Sequence, residues 1–257
     1  MAKVAFTGST EAGADVMRRA AAGIKRVTLE LGGKAANVVF ADADLNRAAE
    51  RAPAAVFGNA GQDCCARSRV LVEKSAYDTF VGLLNDATSK LRVGDPEDPS
   101  TEMGPLVSKE HRDLVSSFVD PPEKGAEVFQ AAPVPRSPGW WYPPTVVTTD
   151  DPDLRVSREE VFGPVVVVLP FDDEQDAARM ANDTRYGLSG SIWTRDSARA
   201  LRMSRKVMAG VLSVNSNTSV RVGSPFGGMK QSGLGRELGL EALDSFTELK
   251  SVFYSAE

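Results

Sequence analysis

A chain of 257 residues that is 42% hydrophobic and 25% charged, with a net charge of −5, has the composition of a soluble globular protein of one or two domains. Its acidic and basic residues are interspersed without a basic stripe, which argues against nucleic acid as a partner. No apolar run reaches the ~18 residues of a membrane span, the N-terminus lacks the apolar core of a secretory signal, and two adjacent cysteines cannot staple a secreted fold. A cytoplasmic protein without membrane contact is therefore expected. The single histidine, His111, argues against histidine-based metal sites, and no metal-ligand cluster stands out.

Val4 to Gly8 reads as the end of a buried strand. Ser9 to Gly13 form a small-residue turn, and a helical run extends from Ala14 to about Ala22. A strand, a turn and a helix N-terminus gather free N–H groups at one point, which suits a phosphate. An ordinary turn with Ser9 or Thr10 as N-cap is the competing reading, because the spacing is not that of G-x-G-x-x-G. Arg26 to Leu31 alternates as a strand and stops at Gly32-Gly33. Glu30, at the end of this strand, is expected to face a cleft. Ala36 to Phe40 is a further strand, and a helix from Asp42 to about Asn59 follows.

That helix leads into Gly58-Asn59-Ala60-Gly61-Gln62-Asp63-Cys64-Cys65-Ala66, which holds the only two cysteines, and the strand Val70 to Glu73 comes next. Gly58 and Gly61 permit close backbone approach, so a thiol on this turn is placed to attack a ligand. Two bland readings compete with a nucleophile: a small buried hydrophobe and a reducible disulfide between neighbours.

Ala76 to Ser89 is amphipathic and helical, Gly94 to Pro99 is a turn cluster, and Ser108 caps a helix reaching about Val119. A short strand is expected near Ala126–Gln130, then a surface loop with Trp140 and Trp141, then a strand at Thr145 to Val147. Val165 to Leu169 is continuously apolar, as in a strand buried on both faces. Asp173 to Asn182 reads as helix, Gly190 to Thr194 as strand, Ser197 to Met208 as helix and Gly210 to Asn215 as strand. Glycine-rich loops from Gly223 to Gly235 precede a short helix near Leu240–Ser245 and a closing strand, Glu248 to Tyr254. Alternating strands and helices define an α/β fold with a mostly parallel sheet.

Five stretches in this order carry a resemblance: Phe6-Thr7-Gly8-Ser9-Thr10-Glu11-Ala12-Gly13, Leu29-Glu30-Leu31-Gly32-Gly33-Lys34, Gly61-Gln62-Asp63-Cys64, Glu160-Val161-Phe162-Gly163-Pro164 and Pro225-Phe226-Gly227-Gly228-Met229-Lys230-Gln231-Ser232-Gly233. Together they resemble the aldehyde dehydrogenase superfamily along the whole chain. The resemblance implies Cys64 as thiolate nucleophile and Glu30 as the general base that activates the deacylating water. It implies an NAD or NADP site at Gly8, Ser9, Gly13, Leu31, Glu160 and Phe162, with Glu160 on the nicotinamide ribose. Asp63, Cys65, Asn215 and Phe226 would line the substrate side, for a small-molecule aldehyde.

The chemistry suits these residues. An aldehyde carbon is electrophilic and takes up a thiolate; loss of hydride leaves a thioester, and a carboxylate deprotonates the water that cleaves it. No histidine base or metal is required. The resemblance further implies a remnant of the dinucleotide-binding domain at residues 1–32, a thiol-bearing catalytic domain at 33–231 and a C-terminal return at 232–257. The closing strand of that return would join a neighbouring subunit of a homo-oligomer. The family's chains run to about twice this length, and most of the dinucleotide sheet lies in the half not matched here. Two other readings remain: a folded, associating fragment with weak or no turnover, and a thiol hydrolase pairing Cys64 with His111.

Overall fold

The computed structural model describes residues 1–256. Ten strands and seven α-helices alternate along the chain. The strands are β1 (Lys3–Thr7), β2 (Arg26–Glu30), β3 (Ala36–Val39), β4 (Arg69–Glu73), β5 (Glu127–Gln130), β6 (Thr145–Thr148), β7 (Val165–Phe171), β8 (Ser189–Trp193), β9 (Val211–Val214) and β10 (Gly233–Leu234). The helices are α1 (Thr10–Ala21), α2 (Leu45–Phe57), α3 (Tyr77–Ser89), α4 (Lys109–Ser116), α5 (Arg155–Arg158), α6 (Glu174–Asn182) and α7 (Ser197–Lys206). Side chains placed one residue ahead fix several helix starts. Ser9, Asp44, Ser108, Asp173 and Asp196 each accept a bond from a first-turn N–H.

Seven strands form the main sheet in the order β5-β6-β7-β4-β3-β8-β9. Only the β5–β6 pair is antiparallel. The central strands are apolar without alternation, and Val70, Leu71, Val72, Val166, Val167 and Val168 are all fully buried. Such runs require cover on both faces. Helices α2 and α3 pack on one another and on β7 and β4; α6 packs on β3, β4 and β7, and α7 on β8. A second sheet orders β1-β2-β10, with β1 parallel and β10 antiparallel to β2. The expected α/β, mostly parallel architecture is therefore present.

Two expectations are corrected. β1 is not a buried strand: Ala5 and Thr7 are exposed, because β1 is the edge of a three-stranded sheet. Residues 248–254 form no strand, since among the described residues no segment shares a ladder with them. Leu249, Val252, Phe253 and Tyr254 stand exposed. The segment is held only at its start, where Arg26 donates to the Thr247 carbonyl and pairs with Glu248, and the Lys3 ammonium lies 3.3 Å above the Phe246 ring. No helix among the described residues is long and apolar enough to cross a membrane.

One buried hydroxyl ties the two sheets together. Ser232 Oγ donates to the Gly32 carbonyl at 2.6 Å and accepts from the Gly187 N–H at 2.9 Å, in full burial. Ser232→Ala leaves two buried backbone groups without partners, and should lower the unfolding free energy by about 2–4 kcal/mol in urea melts.

Candidate active site

The cysteine turn owes its shape to three successive left-handed residues, Asn59, Ala60 and Gly61, with φ of 52°, 54° and 71°. They end α2 at Phe57 and swing the chain across the sheet. A Cβ at Gly61 would collide with the Gly163 carbonyl, so only glycine fits there. The amides of Asn59 and Gln62 bond each other's carbonyls, and Gln62 Oε1 accepts from the Val107 N–H. Cys64 is partly exposed and Cys65 is 8% exposed; both are free thiols. Asp63 Oδ1 accepts the Cys65 N–H at 2.8 Å.

One carboxylate oxygen of Asp63 and the two sulfurs lie within 4.8 Å of one another. This compact donor set was not expected from the sequence. Asp63 is exposed and already committed to the Cys65 backbone, so the group reads as a dithiol rather than a metal centre. The neighbouring Cys64 thiol, with help from Ser189, pulls the Cys65 thiol down to about 7 against the opposing effect of burial. The Cys65 thiol, with burial and the nearby carboxylates, pushes the Cys64 thiol up.

The Gly32-Gly33 turn sits between the thiols and Glu160. The Gly33 N–H donates to Glu160 Oε1 at 2.9 Å, and a Cβ at Gly33 would strike the Cys64 carbonyl. A Cβ at Gly32 would strike Glu160 itself. Burial raises the Glu160 carboxyl above its ordinary value, while the Gly33 N–H and Lys34 oppose this. Glu30 was expected to face a cleft, yet it is only 5% exposed. The return segment covers it: β10 pairs with β2, and Gly227 and Arg236 close over the carboxylate. Burial, then Glu237, pushes Glu30 up to about 8, with Arg236 opposing and Cys65 adding to the rise. Its Oε2 has no protein partner.

Ser9 Oγ caps α1 through the Ala12 N–H at 3.1 Å, and the Gly8 N–H donates to the Glu30 carbonyl. Gly13 presses on Leu31, whose own N–H donates to the Ser232 carbonyl. The Ser9 turn and the Glu30 strand end are thus one unit. Phe162 is left-handed at φ 52° and 41% exposed, and its carbonyl accepts from His111 Nε2 at 2.6 Å. His111 is thereby committed to the Glu160 loop.

Two expected residues stand apart. The Asn215 amide is spent on Thr194, with Oδ1 accepting its N–H at 3.1 Å and Nδ2 donating to its carbonyl at 3.0 Å. Phe226 shares backbone bonds with Glu237 above Glu30, so it belongs to the cover of the carboxylate. A cavity of about 650 Å³ between α2 and α3, lined by Ala49, Pro53, Leu83 and Leu91, contains none of these groups.

Sequence reasoning missed three buried cations. Lys34 is 2%, Arg67 0% and Arg69 5% exposed. Burial lowers Lys34 to about 7 and both arginines to about 10. Arg69 donates to the carbonyls of Met180 and Ala181. The available signal was the run Cys64-Cys65-Ala66-Arg67-Ser68-Arg69, which places two arginines where a buried strand begins.

A free thiol beside a glycine turn, a buried carboxylate at a strand end and a capped helix turn meet in one α/β fold. The particular family follows from comparison. The sequence profile of the Aldehyde dehydrogenase family matches residues 1–252. The NADP/NAD-dependent aldehyde dehydrogenase PuuC of Escherichia coli is 44% identical over 259 residues, covering 99% of this chain and 52% of PuuC. Betaine aldehyde dehydrogenase 2 of Rhizobium meliloti is 43% identical, covering 100% of this chain and 54% of its own. Among solved structures, Staphylococcus aureus betaine aldehyde dehydrogenase in complex with NAD+ superposes with a TM-score of 0.91 at 40% identity, over 96% of this chain and 50% of that one. Bacillus cereus aldehyde dehydrogenase gives 0.92 at 44% identity, over 98% and 52%. The chain belongs to the aldehyde dehydrogenase family, and it spans about half the length of the relatives it matches.

Exposure separates the two thiols. Iodoacetamide should modify Cys64 faster than Cys65 in the folded chain, and peptide mass spectrometry reads the order directly; faster labelling of Cys65 contradicts the placement.

Proposed function

We propose that this chain carries the catalytic machinery for NAD(P)-dependent oxidation of an aldehyde to a carboxylic acid. The observation that carries this reading is the Gly32-Gly33 turn, which brings the Cys64 backbone, Glu160 and the Glu30 strand end into one contact set. Cys64 adds to the aldehyde carbon as a thiolate and holds the carbonyl carbon covalently. When bound, the nicotinamide supplies the acceptor for hydride. The Ser9 turn at the N-terminus of α1 fits the pyrophosphate, because its N–H groups and dipole favour an anion. Glu160, anchored by the Gly33 N–H, is held rigid enough to accept bonds from ribose hydroxyls. Phe162, fixed by His111, packs beside it.

Glu30 has the protonation range of a base working near neutrality. Its unpartnered Oε2 is the atom that would take the proton of the water attacking the thioester. In this reading residues 1–32 belong to the cofactor side, 33–231 carry the thiol and 232–257 return to close the site. A free thiol nucleophile works in a reducing compartment, which makes the cytoplasm its place. A second reading, a folded chain that turns over poorly by itself, is favoured by the small sheet beside the Ser9 turn, which has three strands in these residues. Absorbance of NADH or NADPH with a simple aldehyde separates the two. Cofactor-dependent absorbance that disappears in Cys64→Ser supports the first, and a silent wild-type chain supports the second.

Glu30→Gln should leave Cys64 alkylation intact and slow deacylation by roughly 100- to 10,000-fold, with an acyl adduct seen by intact-mass measurement. Deacylation should rise as pH passes through about 8, because Glu30 must lose its proton to act. Stability should move the other way. The unfolded chain releases this proton in the ordinary carboxylate range and the folded chain only near 8, so stability falls as pH climbs between the two, and Glu30→Gln should flatten that fall. Full turnover in Glu30→Gln would remove Glu30 as the base.

The segment from Phe246 to Tyr254 presents exposed Phe246, Leu249, Val252, Phe253 and Tyr254. We place a second copy of the chain against it, since an extended apolar segment recruits a strand edge. Light scattering should show a homo-oligomer, and Phe253→Asp should weaken it; a monodisperse wild-type monomer at micromolar concentration contradicts this.

A further inference from the structure

The loop that follows β9 folds back beside that strand and leaves a cavity of about 320 Å³, at the small end of the range for small-molecule sites. Its polar wall is Ser213, Ser216, Thr218, Ser219, Arg221 and Ser224, and no carboxylate lines it. Ser213 and Ser216 spend their hydroxyl protons inside the loop, on the Thr218 carbonyl and on Thr218 Oγ1. Among the described residues the hydroxyls of Thr218, Ser219 and Ser224 donate to no protein acceptor. Arg221 makes no ion pair there, and its one bond is the main-chain carbonyl accepting from the Ser224 N–H. Four side-chain donors therefore line one space that holds no protein anion to receive them.

The cavity wall and the thiol turn hang on one side chain. Ser219 Oγ accepts from Arg67 Nη2 at 2.8 Å, and Nη1 of the same guanidinium donates to the Cys65 carbonyl at 2.7 Å. Arg67 is fully buried and is held by Ser189, Ser191 and the Gly190 carbonyl of β8. A guanidinium is planar and rigid, so Ser219 and Cys65 are kept a fixed distance apart on its two arms. Ser219 accepts from Arg67 and so keeps its own proton to give. Asp63, beside the thiols, has one oxygen on the Cys65 N–H and does not line the cavity. A molecule covalently held at the thiol turn thus has a donor-rich, carboxylate-free space within reach of the same buried arginine.

We infer that the aldehyde taken up by this site carries a carboxylate at its far end, and that Arg221, with the hydroxyls of Thr218, Ser219 and Ser224, receives that carboxylate while the carbonyl end reaches Cys64. The inference rests on the proposal that Cys64 is the nucleophile. A carboxylate offers acceptors only, with about four lone-pair sites, and so matches a wall that offers donors only. A guanidinium meets both of its oxygens at once. A neutral alkyl tail gains nothing from these donors. An ammonium tail would set a second cation beside Arg221 with no carboxylate in the wall to accept from it. The substrate class is therefore an oxo acid, with the aldehyde at one end and the anion at the other.

The test compares 4-oxobutanoate with butanal, and 6-oxohexanoate with hexanal, as protectants of Cys64 on the full 257-residue chain. An aldehyde adds reversibly to the thiol, sulfur to carbon and the thiol proton to oxygen, and so blocks alkylation by iodoacetamide, which peptide mass spectrometry reads. Neither cofactor nor turnover is needed. At one or both lengths the oxo acid should halve the labelling rate at a concentration roughly tenfold below that of its alkanal, as charge-assisted bonds to the carboxylate require. Arg221→Gln should bring this ratio most of the way to one, and Arg221→Lys should keep part of it, because the charge returns without the planar fork. Arg221 is exposed and bonded only through its main chain, so these variants keep the fold, which circular dichroism checks. A lost structural contact would weaken protection by acid and alkanal alike; only a lost anion site moves their ratio. Equal protection by acid and alkanal at both lengths, or a ratio unchanged in Arg221→Gln, overturns the inference and leaves Cys64 as the nucleophile. A Cys64 that iodoacetamide does not modify, or whose modification no aldehyde slows, overturns the proposed function and this inference with it.

Discussion

The hydrogen bond from the Gly33 N–H to the Glu160 carboxylate fixes the relation between the two sheets and everything built on them. It is a charge-assisted bond in a half-buried setting, where such bonds are short and strong. Gly33 touches the Cys64 carbonyl, Gly32 passes its own carbonyl to Ser232, and β2 delivers Glu30 immediately before the turn. Four segments far apart in sequence therefore meet at two glycines. No side chain fits at either position, so the contact is made by main chain, whose geometry is the least variable in a protein. The site is held by backbone, and the reactive side chains project from it.

Charge is the second constraint. Of the three buried cations, Arg67 bonds the carbonyl of Cys65 on the thiol turn and Arg69 the end of α6, and two raised carboxyls, Glu30 and Glu160, act on the thiols. Desolvation alone would neutralise groups of both signs. Burial is the largest cause of every one of these shifts, and the opposite charges nearby work against it at Lys34, Glu30 and Glu160. The opposed shifts of Cys64 and Cys65 are the clearest case: the two adjacent thiols act first on each other, and burial and the carboxylates of Asp63 and Glu160 add to the rise at Cys64 while Ser189 and Arg67 favour the anion at Cys65.

Most of the architecture was legible because its signals are local. The apolar run of β7, the Asp173 and Ser108 caps and the alternation of strand and helix depend on neighbours within a few positions. The Cys64, Glu30 and Glu160 motifs were legible as short patterns, and the structure brings all three around one turn. Burial across sequence distance was not legible. Nothing in Arg67 itself announces five acceptors on residues 65, 189, 190, 191 and 219. Glu30 was read as cleft-facing because the segment that covers it lies about two hundred residues later. A closing strand was expected over Glu248 to Tyr254, but a strand is a property of a pair, and among the described residues no segment shares a ladder with residues 248–254.

The collision that forbids a side chain at Gly61 has a counterpart one layer further out. Gly61 rests on the Gly163 carbonyl, and a Cβ at Gly163 would run into Val115 on α4. Gly61, Gly163 and Val115 thus stack like shims between a helix and the thiol turn, and the thickness of the last one sets the height of the first. Position 115 is therefore a tighter fit than an ordinary apolar core position. An added methylene there would press through two glycines on the turn that carries Cys64, so the height of that thiol is set about fifty residues away, by the girth of one side chain on α4.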